Sequence, residues 1–172
     1  MRSSRPLLML VLAASVLSAG VSAQKPVRSA KAGLASDPFI GVWKLSADKS
    51  KYESGGAPKS FTRTYEERGD GTIFMTTDVT MPQGSARAYL VYRRDGKPYP
   101  EAAVGAESIR MVTVKAIDPR TEDIYFIVDG KTSEKPSTVT ISADGMTMTQ
   151  VVNGMNSKGK AFTNTVVYDK QS

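Results

Sequence analysis

The sequence predicts an all-β fold: an antiparallel up-and-down meander that closes into a small barrel of about eight to ten strands. Three observations predict it. Short runs rich in Val, Thr, Ile, Tyr and Phe recur along the chain, and such residues suit a pleated surface. Turn signals separate the runs: Gly69-Asp70-Gly71, Asp95-Gly96, Asp129-Gly130, Asp144-Gly145 and Lys158-Gly159-Lys160. Gly and Asp tolerate the positive φ that tight hairpins need. No segment carries a helical period beyond one turn at Ala47–Tyr52. Closure is preferred because it leaves no strand edge open. A two-sheet sandwich is the alternative, since hairpin spacing alone does not separate the two.

The strands follow in order. They are Ile40–Leu45, Ser60–Glu67, Thr72–Thr80, Ala86–Arg93, Ser108–Ile117, Asp123–Asp129, Lys131–Ser142, Met146–Val152 and Ala161–Asp169. Pro136 cannot donate to a ladder, so the seventh run is expected to bulge or break there. Alternation assigns faces. Ile73, Met75 and Val79 share one face, against Thr72, Thr76, Asp78 and Thr80. Met146, Met148 and Val152 oppose Thr147 and Thr149. Phe162, Val166 and Tyr168 oppose Thr163 and Thr165.

The N-terminus reads as a cleavable export signal, residues 1–23. Arg2 and Arg5 are its basic start, Leu7 to Leu17 its apolar stretch, and Val21-Ser22-Ala23 its cleavage site. The apolar stretch is shorter than the roughly 20 residues a membrane span needs, so no transmembrane segment is predicted. Residues 24–36 read as a flexible tail and 37–172 as one domain. The predicted location is the periplasm or the cell exterior.

The chain has neither Cys nor His. It therefore lacks disulfides, thiolate nucleophiles and Ser-His or Cys-His pairs, and the usual ligands of zinc or haem. No metal, cofactor or catalytic residue is assigned. Lys and Arg number 23 against 17 Asp and Glu. The excess is modest and mixed in sign, with no basic stripe carrying aromatics, which argues against nucleic acid as a partner.

Phe39-Ile40-Gly41-Val42-Trp43-Lys44-Leu45 is the most specific local signal. Gly41 permits a bend or close approach, and Trp43, the one Trp, is placed to plug a barrel end. With Lys49-Ser50-Lys51, Ala57-Pro58-Lys59-Ser60, Asp95-Gly96-Lys97-x-Tyr99-Pro100, Ser142-x-Asp144-Gly145 and Tyr168-Asp169-Lys170, it resembles exported bacterial lipocalin-like (calycin-type) proteins of unassigned function. The resemblance implies a β-barrel that holds one small ligand. The chain departs from fatty-acid-binding proteins. Ser46–Lys59 is too short for their helix pair, and the last strand reads Val166-Val167-Tyr168 where they carry an Arg. The lipocalin Arg that packs over the Trp is unmatched too.

Tyr65, Met75, Leu90, Tyr92, Met111, Phe126, Met148, Phe162 and Tyr168 are the candidate wall of a site for a small apolar or amphipathic molecule. Met is suited to such walls because it is flexible and polarizable. Arg63 shares a face with Tyr65, and Arg87 with Tyr89. These Arg residues are read as outward cross-strand partners of Glu66, Glu67 or Asp78. An inward Arg would require a counter-charge, and a bound anion is one candidate. Glu101, Glu122 and the other carboxylates are read as solvated. A surface that binds protein or polysaccharide is the alternative function, and an enzyme using Tyr or a carboxylate is a third. Oligomeric state is not legible.

Overall fold

The computed structural model describes residues 37–105, 110–128, 130–156 and 158–172. The predicted signal and tail lie outside these residues, as do Ser108 and Asp129 at two predicted strand ends. The strands are β1 (Gly41–Leu45), β2 (Ser60–Glu67), β3 (Ile73–Met81), β4 (Gly84–Tyr92), β5 (Asp95–Ala103), β6 (Arg110–Asp118), β7 (Thr121–Val128), β8 (Lys131–Thr132), β9 (Ser137–Ile141), β10 (Thr147–Met155) and β11 (Ala161–Lys170). There is no helix among the described residues.

Each strand from β1 to β7 pairs antiparallel with the next; β7 then pairs with β9, β9 with β10, β10 with β11, and β11 with β1. The β6–β7 ladder is the step that joins the two ends of the sheet. The result is a closed 10-strand antiparallel barrel, and β8 is a two-residue addition to β7. Continuous hydrogen bonding around the ring excludes the sandwich. Closure satisfies both edges of every wall strand.

Two irregularities trace to proline. The predicted run Lys131–Ser142 is interrupted between β8 and β9, with Pro136 just before β9. The amide of Asn153 donates to the Pro136 carbonyl at 3.1 Å. The second corrects the strand list, which omits β5 and takes its first two residues, Asp95-Gly96, as a turn. Pro98 and Pro100 and the Asp95-Gly96 pair disguise it. The ladder between β4 and β5 spans only Ala88–Leu90 against Glu101–Ala103, so both prolines fall outside it. On the other side, the register with β6 slips between Asp95 and Pro98. Gly96, at φ 76°, sits inside that bulge.

Alternation then sorts the side chains. Phe39, Trp43, Tyr65, Ile73, Met75, Leu90, Tyr92, Val112, Val114, Ile124, Val139, Ile141, Met148, Val166 and Tyr168 form one buried core along the axis. Arg63 of β2 stands directly across from Trp43 of β1 and Thr77 of β3. The end where β1 begins is packed shut. Trp43 is fully buried, and its Nε1 donates to the Phe39 carbonyl at 2.8 Å. Lys170 of β11 lies over the indole, 5.0 Å from its centroid. A Lys from the last strand thus covers the Trp. Gly41 has φ 131°, and a Cβ there would come within 2.9 Å of the Lys170 side chain. Glycine is what allows the lysine stem to cross at that point.

Candidate functional site: the barrel interior

The other end of the barrel opens into a cavity of about 460 Å³, within the range of about 300–1,000 Å³ common for small-molecule sites. Its outer part is walled by Phe61, Val79, Ala86, Ala88, Ala103, Phe126 and Val128. Val128 is 54% exposed and marks the rim. Deeper in, Met75, Leu90, Val112, Val114 and Ile124 continue the wall. The space has a sequence cause. Ala88 of β4 and Ala103 of β5 are directly opposed, and Ala86 lies two residues away on the same face. Three methyl side chains stand where larger ones would meet across the lumen.

The inner wall is polar. Arg63, Glu101, Tyr92 and Glu122 all line the cavity, and Arg63 is 8% exposed, Glu101 5% and Glu122 1%. Most of these charges are matched. Arg110 pairs with Glu101 and lies over the Phe126 ring, 4.5 Å from its centroid. Arg94 Nε donates to Glu122 Oε2 at 2.6 Å, and the same guanidinium pairs with Asp37 and packs over Phe39. Arg63 is the exception. It has no ion-pair partner among the described residues, and its Nε and Nη1 are buried without a hydrogen bond. It rests between the rings of Phe61 and Tyr168, 5.2 and 5.5 Å from their centroids.

The hydroxyls of Tyr65 and Tyr168 beside it, and that of Tyr92, are buried without a partner among the described residues. Burial pushes the Tyr168 hydroxyl up to about 12, against the pull of Arg63. It raises Tyr65 and Tyr92 as well, so all three remain protonated donors at neutral pH. Burial opposes the charge of Arg63, and the nearby Tyr168, Tyr65 and Glu101 oxygens act against that, so the guanidinium stays protonated. Glu122 is held above its ordinary value by burial, against Arg94 and Arg63.

The predicted wall residues divide. Met75, Leu90, Tyr92 and Phe126 line the cavity. Tyr65, Met148 and Tyr168 are buried in the barrel core, with Tyr168 against Arg63. Phe162 lines a separate recess with Thr132, Lys135 and Met155, beyond the broken strand. Met111 is a correction. Val112 and Val114 take the inner face of β6, so Met111, between Arg110 and Val112, faces outward. The Arg expectation also divides. Arg87 pairs on the exposed face with Asp78 at 2.5 Å, as expected. Arg63 points inward, contrary to it, because Phe61, Arg63 and Tyr65 share the inner face of β2. Glu101 and Glu122 are not solvated, since each faces a guanidinium across the wall.

Sequence reading passed over Phe61, the three alanines and Arg94. The strand placed at Ser60–Glu67 carried the signal for Phe61. Arg94 lies in an Arg-Arg-Asp-Gly stretch that looks like an exposed turn.

Among the described residues, no group of three or more His, Cys, Asp or Glu is arranged to hold a metal ion, and no helix is long and apolar enough to cross a membrane. Fold and cavity together define a closed antiparallel β-barrel with an internal chamber, consistent with a lipocalin-like barrel. Compared with family models, curated proteins and solved structures, the chain matches none.

Proposed function

We propose that this is an exported bacterial binding protein that holds a small, largely apolar molecule inside its barrel. The observation that carries the reading is the 460 Å³ chamber, kept open by Ala86, Ala88 and Ala103 in an otherwise packed interior. A barrel evolved only for stability gains nothing from such a void, because a cavity forfeits contacts. Apolar walls supply affinity, and the few polar groups fix orientation. The signal-like N-terminus supports export, which puts the ligand outside the cytoplasm.

The test uses the neutral apolar dye N-phenyl-1-naphthylamine. Wild-type protein is expected to give a saturable, one-to-one fluorescence rise. Ala88→Phe fills the chamber and is expected to abolish the rise while leaving the far-ultraviolet circular dichroism unchanged. No saturable rise in the wild type, or an equal one in the filled variant, overturns the reading.

One observation favours a second reading, an outer surface that binds protein or polysaccharide. Phe74 and Tyr89 stack on the outer face of β3 and β4, with ring planes 3° apart, and Arg68 covers Phe74. Val91 beside them is 52% exposed.

A further inference from the structure

We propose that the ligand of this chamber carries one negative charge, a carboxylate or its equivalent, which enters first and is held by Arg63 of the chamber wall. This rests on the reading that the barrel holds a small molecule, and it adds the chemical class.

The argument is one of charge matching. Arg94 is ion-paired with Glu122 and Asp37, and Arg110 with Glu101. Arg63 is more than nine-tenths buried, rests on the faces of Phe61 and Tyr168, and has no ion-pair partner among the described residues. Such faces compensate a desolvated cation in part. A buried charge without a counter-charge is costly, which is why buried charges are paired or hold a ligand. A buried guanidinium that no carboxylate among the described residues touches calls for an anionic partner. A dianion would bring a second charge toward Glu101 and Glu122.

The donors are already in place. Arg63 lines the chamber, and two of its N–H groups have no hydrogen-bond partner among the described residues. A carboxylate accepts from a guanidinium through two oxygens, whereas an alcohol of equal length satisfies far less. The walls between Arg63 and the rim are apolar or small, from Phe61 and Val79 to Ala103 and Phe126. They suit the ligand's hydrocarbon body. The charge therefore lies deep and the tail points to the mouth.

The matched pair octanoate and 1-octanol tests this by isothermal titration calorimetry at about pH 7. Wild-type protein is expected to bind octanoate at least about tenfold more tightly than octanol. Arg63→Met is expected to erase that preference while still binding octanol. Arg63→Gln, which keeps a polar side chain and removes the charge, keeps the test available if Arg63→Met does not fold. It is expected to weaken octanoate a few-fold and leave octanol unchanged. Equal binding of the two ligands by the wild type overturns the anion assignment and leaves the binding function standing. So does a preference that persists in Arg63→Met. Binding of neither ligand overturns both.

Discussion

The guanidinium of Arg63 lies over the ring of Tyr168, 5.5 Å from its centroid, and no carboxylate among the described residues pairs with it. The two side chains come from β2 and β11, on either side of β1, and meet in the lumen. An unmatched cation so placed lowers the stability of the ligand-free barrel.

Replacing that cation with an apolar side chain of similar length therefore stabilises the ligand-free protein. Arg63→Met is expected to raise the free energy of unfolding by about 1 kcal/mol or more. Urea titration of wild type and variant checks this. A loss of stability would mean that Arg63 is already satisfied in the folded protein.

The packed end rests on Trp43. Trp43→Ala is expected to cost about 3–5 kcal/mol, through the lost volume and the lost bond to Phe39. Lys170→Met keeps the stem over the indole and removes only the charge, so about 0.5–1 kcal/mol is expected. Thermal unfolding ranks the two. An equal effect would show that the lysine charge, and not the ring, closes that end.

Much of this architecture is legible in the sequence, and the gaps have physical causes. Hairpin signals and alternation locate β2, β3 and β11 because one face of each is apolar. They miss β5, because Pro98, Pro100 and Asp95-Gly96 carry the marks of a turn while a bulge accommodates them. Alternation puts Arg63 and Tyr65 on one face but does not say which face is inside. A preference for exposed Arg then places Arg63 outward, and only the closed register shows otherwise. The chamber is invisible to pattern reading. It depends on Ala88 and Ala103 coming face to face across a ladder whose second strand went unrecognised.

Glu122 gives the stability a pH signature. Burial raises its folded pKa above the ordinary 4.5, so the folded state binds more protons between 4.5 and that raised value. Stability from this group falls as pH rises through the window and is regained on acidification. Asp95, Asp118, Asp144 and Asp169 act oppositely and lower down. Hydrogen bonds from Lys97, Arg120, Ser142 and Lys49 hold them below 3.8, and their contribution is lost only as pH falls below that value. The urea midpoint of the wild type is expected to rise, relative to Glu122→Gln, as pH is lowered toward about 4.5. A difference that stays constant across that range would contradict the assignment.

The central claim is that binding takes place inside the barrel. It is tested most directly by methyl-resolved NMR during titration with 1-octanol. The account predicts saturable shifts at Met75, Leu90, Val112 and Ile124, which line the chamber. It predicts none at Val91 and Ile117, which are exposed. Shifts confined to the outer-face methyls, or no shifts at any concentration, would contradict it.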